Sequence, residues 1–382
     1  MAGEWPFVGR SGELHRLREL ISGDPPCGVV VAGPVGVGKT RLAAEGLALA
    51  ERAGLSTARV TATRSAAAVP FGALAPVLPP VLHGEGALVD HRADLLRRSV
   101  DALVERAAGR HLVLFVDDAH LLDDASATLI HQLASTPQAS VLATLRAGEA
   151  APDPVVALWK DGLAERLDLG GLGTGAVEEV LTAALGGPVD RATATHLAVR
   201  CQGNVLFLRE LVLGAVQDGA LSSEGGIWHL VGPLAPSDRL VELVEARLTG
   251  VAAAERAVLE FVSFAEPLGR AELDVLGDPA SAGALERRGL LVSRKNGRRL
   301  EVGLAQPLYG EVLRARLSAM QVPAIARPLA EALEATGLRR RDDTLRVATW
   351  RLETGGGHPD LMVAAAHAAR WRYDFILAER LA

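Results

Sequence analysis

Three groups of residues have the types and spacing for chemistry on a phosphate ester. The first, Gly33, Pro34, Val35, Gly36, Val37, Gly38, Lys39 and Thr40, fits the pattern G-x-x-x-x-G-K-[ST]. A polyphosphate needs backbone N–H groups turned inward around its oxygens, and a glycine-rich loop can bend that tightly. In this pattern the lysine, Lys39, reaches the β- and γ-phosphates and the hydroxyl of Thr40 holds Mg²⁺. The second group is the carboxylate pair Asp117 and Asp118, which ends the apolar run 112–116. One acid at such a tip holds Mg²⁺ through water and a second orients the attacking water. Asp117 is assigned to the metal and Asp118 to the water. The third is Arg146, at the end of the strand-like run 139–145. An arginine at the carboxyl end of a strand points into the crevice where open α/β sheets bind ligands.

These residues need elements to place them. Residues 29–32 form a short apolar run, as a buried parallel strand requires. Residues 40–50 have a helix pattern with few breakers, and the positive N-terminal end of that helix adds to the anion site. The chain has only three lysines, Lys39, Lys160 and Lys295, and uses arginine almost everywhere else. A lysine where a compact ammonium suits a phosphate is therefore informative. Further strands are expected at 55–63, 111–116, 139–145 and 164–169, the last closing the sheet. Helices are expected at 11–20, with Leu14, Leu17, Leu20 and Ile21 on one face and Ser11 as cap, at 93–108 and at 125–134. Asp123 and Asp124 read as caps of the helix at 125–134, and His120 as a loop residue. Asp24, Pro25 and Pro26 break the chain, and 69–86 reads as irregular.

Composition narrows the class. A chain of 382 residues is too long for one small core, and about two to four domains is the expectation. Hydrophobic residues at 49% with 23% charged describe a folded soluble protein, and no stretch is long and apolar enough to span a bilayer. The start lacks the basic and apolar regions of a secretory leader. Cys27 and Cys201 are too few for a disulfide framework and have no metal-ligand spacing, so a reducing cytoplasm is expected. A net charge of −6 gives no support for electrostatic nucleic-acid binding by the chain as a whole. With only 4% aromatic residues, the cores must be rich in Leu, Val and Ala.

After Gly170 the pattern turns helical, at 177–185, 192–200 and 205–218, as in a small lid over a nucleotide, with a strand-like insert at 227–231. From about residue 236 come helix patterns at 240–248, 253–264, 271–276 and 280–288. Two alternating runs then flank Lys295, Asn296, Gly297 and Arg298, and Asn-Gly between such runs signals a hairpin. Helices followed by a hairpin read as a winged helix. Its basic wing (Arg294, Arg298, Arg299) is short, so an intramolecular nucleotide-sensing role is preferred to DNA binding. Helices at 308–317, 325–335, 344–352, 361–369 and 373–382 resemble the start of a tetratricopeptide-like array. Such arrays need about three or more repeats, so the chain is expected to be part of a longer protein. The expected domains are 1–169, 170–235, 236–318 and 319–382, in an α/β P-loop NTPase of the AAA+-like kind with lid, winged helix and repeat start.

These blocks resemble the signalling ATPases with numerous domains (STAND class), most closely the amino-terminal half of large ATP-binding LuxR-family, MalT-like, transcriptional regulators. The markers are Phe7, Val8, Gly9 and Arg10, the glycine-rich loop, 114–120, 142–146, and Gly203 with Asn204 before 206–211. The resemblance implies that Val8, Gly9 and Arg10 lie by the adenine and that Arg146 senses the γ-phosphate. It also implies that sheet, lid and winged helix clamp ADP at rest. Val205 stands where the family has proline, and Gln306 where many relatives have a histidine on the β-phosphate. Glutamine still donates a hydrogen bond but carries no charge, so the lock is expected to be weaker or differently made. The expected nucleotide-binding set is then Val8, Gly9, Arg10, residues 33–40, Arg41 and Gln306. Lys39, Asp117, Asp118 and Arg146 would act in hydrolysis, with Thr40 and Asp117 on the metal.

The implied cofactors are ATP or ADP with Mg²⁺. The implied activity is a slow hydrolysis that resets a switch, with self-association in the ATP state. Such regulators bind DNA through a carboxyl-terminal helix-turn-helix absent from this chain, so direct DNA binding by it is not expected, nor is a membrane partner. A second possibility is an AAA+ turnover ATPase that remodels DNA or protein with an arginine finger supplied in trans. A third is a scaffold that never hydrolyses, against which the Asp117–Asp118 pair weighs. Adenine preference rests on the resemblance, since no Asn-Lys-x-Asp occurs.

Overall fold

The computed structural model describes residues 5–23, 25–78, 92–277, 279–297, 299–338 and 342–382. Two compact units divide the chain, Met1–Pro233 and Leu234–Ala382.

The first unit is built on two runs with no polar interruption. In β1 (Gly28–Gly33) and β3 (Leu112–Asp117) every residue is buried, which only an interior strand of a covered sheet allows. With β2 (Ser56–Thr61), β4 (Ala139–Arg146) and β5 (Ala164–Asp168) they form a parallel sheet in the order β2-β3-β4-β1-β5. Parallel strands need crossovers, and helices supply them: α2 (Lys39–Arg52), α3 (Arg92–Arg106), α4 (Asp124–Ala134) and α5 (Asp153–Lys160), with α1 (Ser11–Ile21) leading into β1. Successive strand residues face opposite sides, so two cores form. Val30, Ala32, Leu114, Val116 and Ala143 face one, with Leu129 and Leu133 of α4. Val29, Val31, Phe115 and Leu142 face the other, with Leu17 of α1 and Leu42 of α2.

Register decides what the strand tips share. Gly33 lies beside Arg146, and Thr61 beside Asp117. The sheet passes from β4 through β1 to β5, so β1 is the strand whose neighbours on both sides are distant in sequence. Its carboxyl end is where the topology leaves a crevice.

A helical block follows: α6 (Thr174–Leu185), α7 (Arg191–Cys201) and α8 (Val205–Gln217). A hairpin of β6 (Leu221–Glu224) and β7 (Ile227–Leu230) ends the unit, turning at Gly225 and Gly226, both with positive φ. Two glycines at such a turn match the twist of the flanking strands.

The second unit carries α9 (Asp238–Leu248), α10 (Ala253–Ala265), β8 (Leu268–Gly269), α11 (Arg270–Leu276), α12 (Pro279–Arg287), β9 (Leu291–Asn296), β10 (Arg299–Leu304) and α13 (Pro307–Arg316). Its antiparallel sheet runs β8-β10-β9, with Asn296 opposite Arg299. The helices α14 (Val322–Ala335), α15 (Asp343–Leu352), α16 (Pro359–Trp371) and α17 (Phe375–Leu381) pack each on the next.

Several local expectations change. Ser11 does not cap α1: Arg10 holds the N-cap position, without a side-chain cap bond. Asp123 does cap α4, accepting from the Ser126 amide, whereas Asp124 is the first helical residue. His120 is buried in a short 3₁₀ turn at 119–121 rather than in an open loop. The strands β6 and β8 and helix α5 carry too little periodicity to be read. Asp24, residues 79–86 and Arg298 lie outside the described residues, as do Met1 to Glu4.

Candidate functional site

At the tip of β1 the chain turns through Gly36 and Gly38, with φ of 82° and 101°. Side chains rarely adopt this region, which is the reason for glycine at both. The carbonyls of residues 34–37 are all engaged. Lys39 Nζ donates to Pro34 O (2.8 Å), Asn204 Nδ2 to Val35 O (2.8 Å), the Leu206 amide to Gly36 O (3.1 Å) and Arg10 Nη2 to Val37 O (3.1 Å). The amides of Val35, Gly36, Val37 and Gly38 donate to no protein acceptor among the described residues. Carbonyls already engaged and amides left over make an anion cradle. Helix α2 begins at Lys39 with no side-chain cap, so its first-turn amides add to the cradle.

Lys39 is nearly buried, and that burial pulls its ammonium down to about 8, opposed mainly by Asp118. The next residue, Thr40, donates from Oγ1 to Asp117 Oδ1 (2.9 Å). The same oxygen accepts from Thr144 Oγ1 (2.7 Å), and Asp117 Oδ2 faces Arg59 Nη2 (3.3 Å). Thr144 is fully buried on β4, and its hydroxyl also accepts the Asp118 amide (2.8 Å). Asp118 itself is left-handed, φ 54°. The turn sends its carboxylate away from Asp117 and onto Arg146, with Nη2 3.3 Å from Oδ2. Glu149 Oε1 lies 3.6 Å from Arg146 Nη1, and Glu149 Oε2 lies 3.2 Å from His120 Nε2. Neither His120 ring nitrogen makes a hydrogen bond among the described residues, and burial lowers its basicity despite Asp118 and Glu149 nearby.

Beside the cradle is a cavity of about 320 Å³. Trp5, Phe7, Val8, Leu172, Val180 and Val205 form apolar walls, and Arg10, Arg41 and Arg209 line it with Val37 and Gly38. An apolar slot next to an anion cradle suits a nucleoside joined to phosphates.

Of the expected site residues, Lys39, Thr40, Asp117, Asp118 and Arg146 gather at adjoining strand tips, and residues 33–38 form the turn. Val8, Arg10, Val37, Gly38 and Arg41 reach the cavity. Gly9 does not. It has a left-handed φ, and a Cβ at this position would lie 2.8 Å from Ala176 Cβ, so it is a packing glycine against α6. Arg10 is a buried brace, donating to Glu13 (2.7 Å), Val37 O and Gly170 O (2.6 Å). Gln306 belongs to the second unit, at the N-cap of α13, with a buried Oε1 that finds no partner among the described residues. Sequence reading missed Thr144, Arg59, Glu149, Trp5 and Arg209. Thr144 did carry a signal, being a polar residue, like Ser140, within an interior strand whose other residues before Arg146 are apolar.

A hydroxyl and a carboxylate oxygen 2.9 Å apart are hard donors of the kind Mg²⁺ takes together with phosphates, so Thr40 and Asp117 fit that ion. Among the described residues no group of three or more His, Cys, Asp and Glu ligands forms. No helix among them is long and apolar enough to cross a membrane.

Residues 6–145 match the family model of the AAA ATPase domain. A sequence comparison with curated proteins finds no match. Among solved structures, the chain is similar to the Aeropyrum pernix ORC2 protein in ADPNP and ADP complexes, at 16% identity and a TM-score of 0.50 over 88% of this chain and 97% of that one. The Aeropyrum pernix ORC1 protein in complex with DNA matches at 16% identity and a TM-score of 0.44, over 82% and 94%. The Thermotoga maritima RuvB Holliday junction branch migration motor matches at 18% and 0.40, over 78% and 92%. At these identities the likeness concerns the fold alone.

Proposed function

We propose that this chain is a slow, Mg²⁺-dependent ATP/ADP switch, of the kind that controls self-association in LuxR-family transcriptional regulators. One observation carries the switch reading: Arg146 is engaged by Asp118, the residue assigned to orient water. A γ-phosphate must compete with that carboxylate for the guanidinium, and ADP has no γ-phosphate to do so. ATP and ADP then differ in the state they favour, which is what a switch requires.

In this reading the cradle and Lys39 hold the phosphates, and the cavity holds the adenine. Thr40 and Asp117 would hold Mg²⁺, which supplies charge neutralisation on the phosphates when bound. Asp118, released from Arg146, orients water, and Arg146 stays on the γ-phosphate. Residues 1–169 form the nucleotide-binding domain, 170–235 its lid, 236–318 a winged helix and 319–382 the start of a tetratricopeptide-like region. A cytoplasmic setting is part of this reading.

The AAA ATPase match over 6–145 equally supports a second reading, a turnover ATPase that remodels DNA or protein. Chromatography of the nucleotide released from denatured, freshly purified protein, followed by steady-state turnover, separates the two. Stoichiometric ADP with slow turnover is expected for the switch. An empty protein that turns over ATP rapidly on assembly would favour the motor.

A further inference from the structure

The amide of Asn204 makes two bonds with opposite ends. Its Oδ1 accepts from the Phe207 amide (3.3 Å), which caps α8, and its Nδ2 donates to Val35 O (2.8 Å), 169 residues earlier. The orientation is fixed by the partners: an N–H can only donate, and a carbonyl can only accept. The residue is 3% exposed. Two residues on, the Leu206 amide donates to Gly36 O (3.1 Å). A Cβ on Gly36 would meet Asn204 Oδ1 at 2.4 Å and Leu206 Cβ at 3.0 Å, so the start of α8 is seated directly on the phosphate turn.

Capping does not by itself call for asparagine here. Serine, threonine or aspartate would cap α8 about as well. What those residues lack is a donor that reaches Val35 O. Two of the four engaged carbonyls of the cradle, Val35 and Gly36, thus depend on the start of α8. A carbonyl turned inward would set its negative end against the phosphates.

We propose that Asn204 is a positioning residue for nucleotide binding. It holds the Val35 carbonyl away from the phosphate face and locks α8 to the loop, so that phosphate capture and the start of α8 are coupled. The proposal rests on the nucleotide reading of the loop given above.

The test uses the full chain, mant-ADP with Mg²⁺ as probe, and three readouts: affinity, melting temperature without probe, and hydrogen exchange of amides 205–210. Asn204→Ser keeps a capping acceptor, adds no charge and is too short to bond Val35 O. Asn204→Asp keeps the cap and removes the donor. Both variants are expected to fold and to melt a few degrees below wild type, because the cap survives while the bond to Val35 O is lost, the aspartate the lower of the two for its buried charge. Both should bind mant-ADP about tenfold or more weakly, the aspartate the weaker for its charge. In wild type the Leu206 amide should gain protection when mant-ADP binds, and Asn204→Ser should lose that gain.

A serine variant that binds mant-ADP like wild type, with the same protection, overturns the positioning role and leaves the nucleotide site standing. Wild type that binds no mant-ADP overturns the nucleotide reading and the proposal with it. Should the variants not fold, the wild-type exchange measurement decides alone: amides 205–210 indifferent to mant-ADP overturn the coupling.

Discussion

Thr144 Oγ1 bridges the two acids of the β3 tip, donating to Asp117 Oδ1 at 2.7 Å and accepting the Asp118 amide at 2.8 Å. One hydroxyl thereby orients the carboxylate assigned to the metal and steadies the left-handed backbone of the residue assigned to water. Thr144→Val keeps the shape, removes both bonds and leaves a buried N–H without a partner, a cost of about 1–3 kcal/mol in stability. Losing such a partner of a ligand also costs about 10–100-fold in metal affinity or activity. A titration of Mg²⁺ against ATP hydrolysis should show the half-saturating concentration raised in Thr144→Val and largely restored in Thr144→Ser. An unchanged Mg²⁺ requirement in the valine variant would sink this assignment.

The Arg146–Asp118 pair makes a prediction about nucleotide preference. Arg146→Ala removes a charge-assisted contact that only a γ-phosphate can gain, worth about 1.5–3 kcal/mol. ATP affinity is expected to fall about tenfold or more while ADP affinity moves by less than about threefold. Competition titrations against mant-ADP measure both. Equal losses for the two nucleotides would show that Arg146 does not read the γ-phosphate.

Lys39 sets a pH dependence. Burial lowers it from 10.5 to about 8, so the charged form opposes folding below pH 8, and that opposition fades as pH rises from about 8 to 10.5. Nucleotide binding has the opposite sign, since bound phosphate favours the charged form. Above pH 8 binding must take up a proton, and mant-ADP affinity should drop toward tenfold per unit; at pH 9 it should be roughly tenfold below that at pH 7. A flat affinity from pH 7 to 9.5 would mean that Lys39 stays charged without phosphate. Lys39→Ala should bind weakly at every pH.

Phe115 is the largest fully buried side chain of the sheet, with Arg59 stacked 5.0 Å from its ring centre. Phe115→Ala removes its contacts with the α1 and α2 side of the core, and the collapse is incomplete in so dense a site. We expect a loss of about 3–5 kcal/mol in urea unfolding of the first unit. A loss under about 1 kcal/mol would mean that this face of the sheet is loosely packed.

Much of this was legible along the chain because its causes are local. The glycine-rich turn is specified by eight consecutive residues, and the strands β1 and β3 by unbroken apolar runs whose neighbours are covalently fixed. Asp117, Asp118 and Arg146 stood out because each lies at the end of a strand run. Short elements were not legible: β8 has two residues and β6 four, less than is needed for a period to repeat. His120 read as an open-loop residue because nothing nearby in sequence signals the 3₁₀ turn that buries it.

The amino-acid order by itself determined that a glycine-rich turn sits between a buried strand and a helix, and that two acids and an arginine follow strand runs; that those strands lie side by side came from the sheet. Only the tertiary structure decided how these parts are held. Thr144 meets Asp117 across 27 residues, Arg10 meets Gly170 across 160 and Asn204 meets Val35 across 169. Each contact depends on strand register or on where a helix is seated. Shifting a strand by one residue would turn every side chain on it to the other face. Packing of the two cores sets that register, and residue spacing along the chain has no access to it.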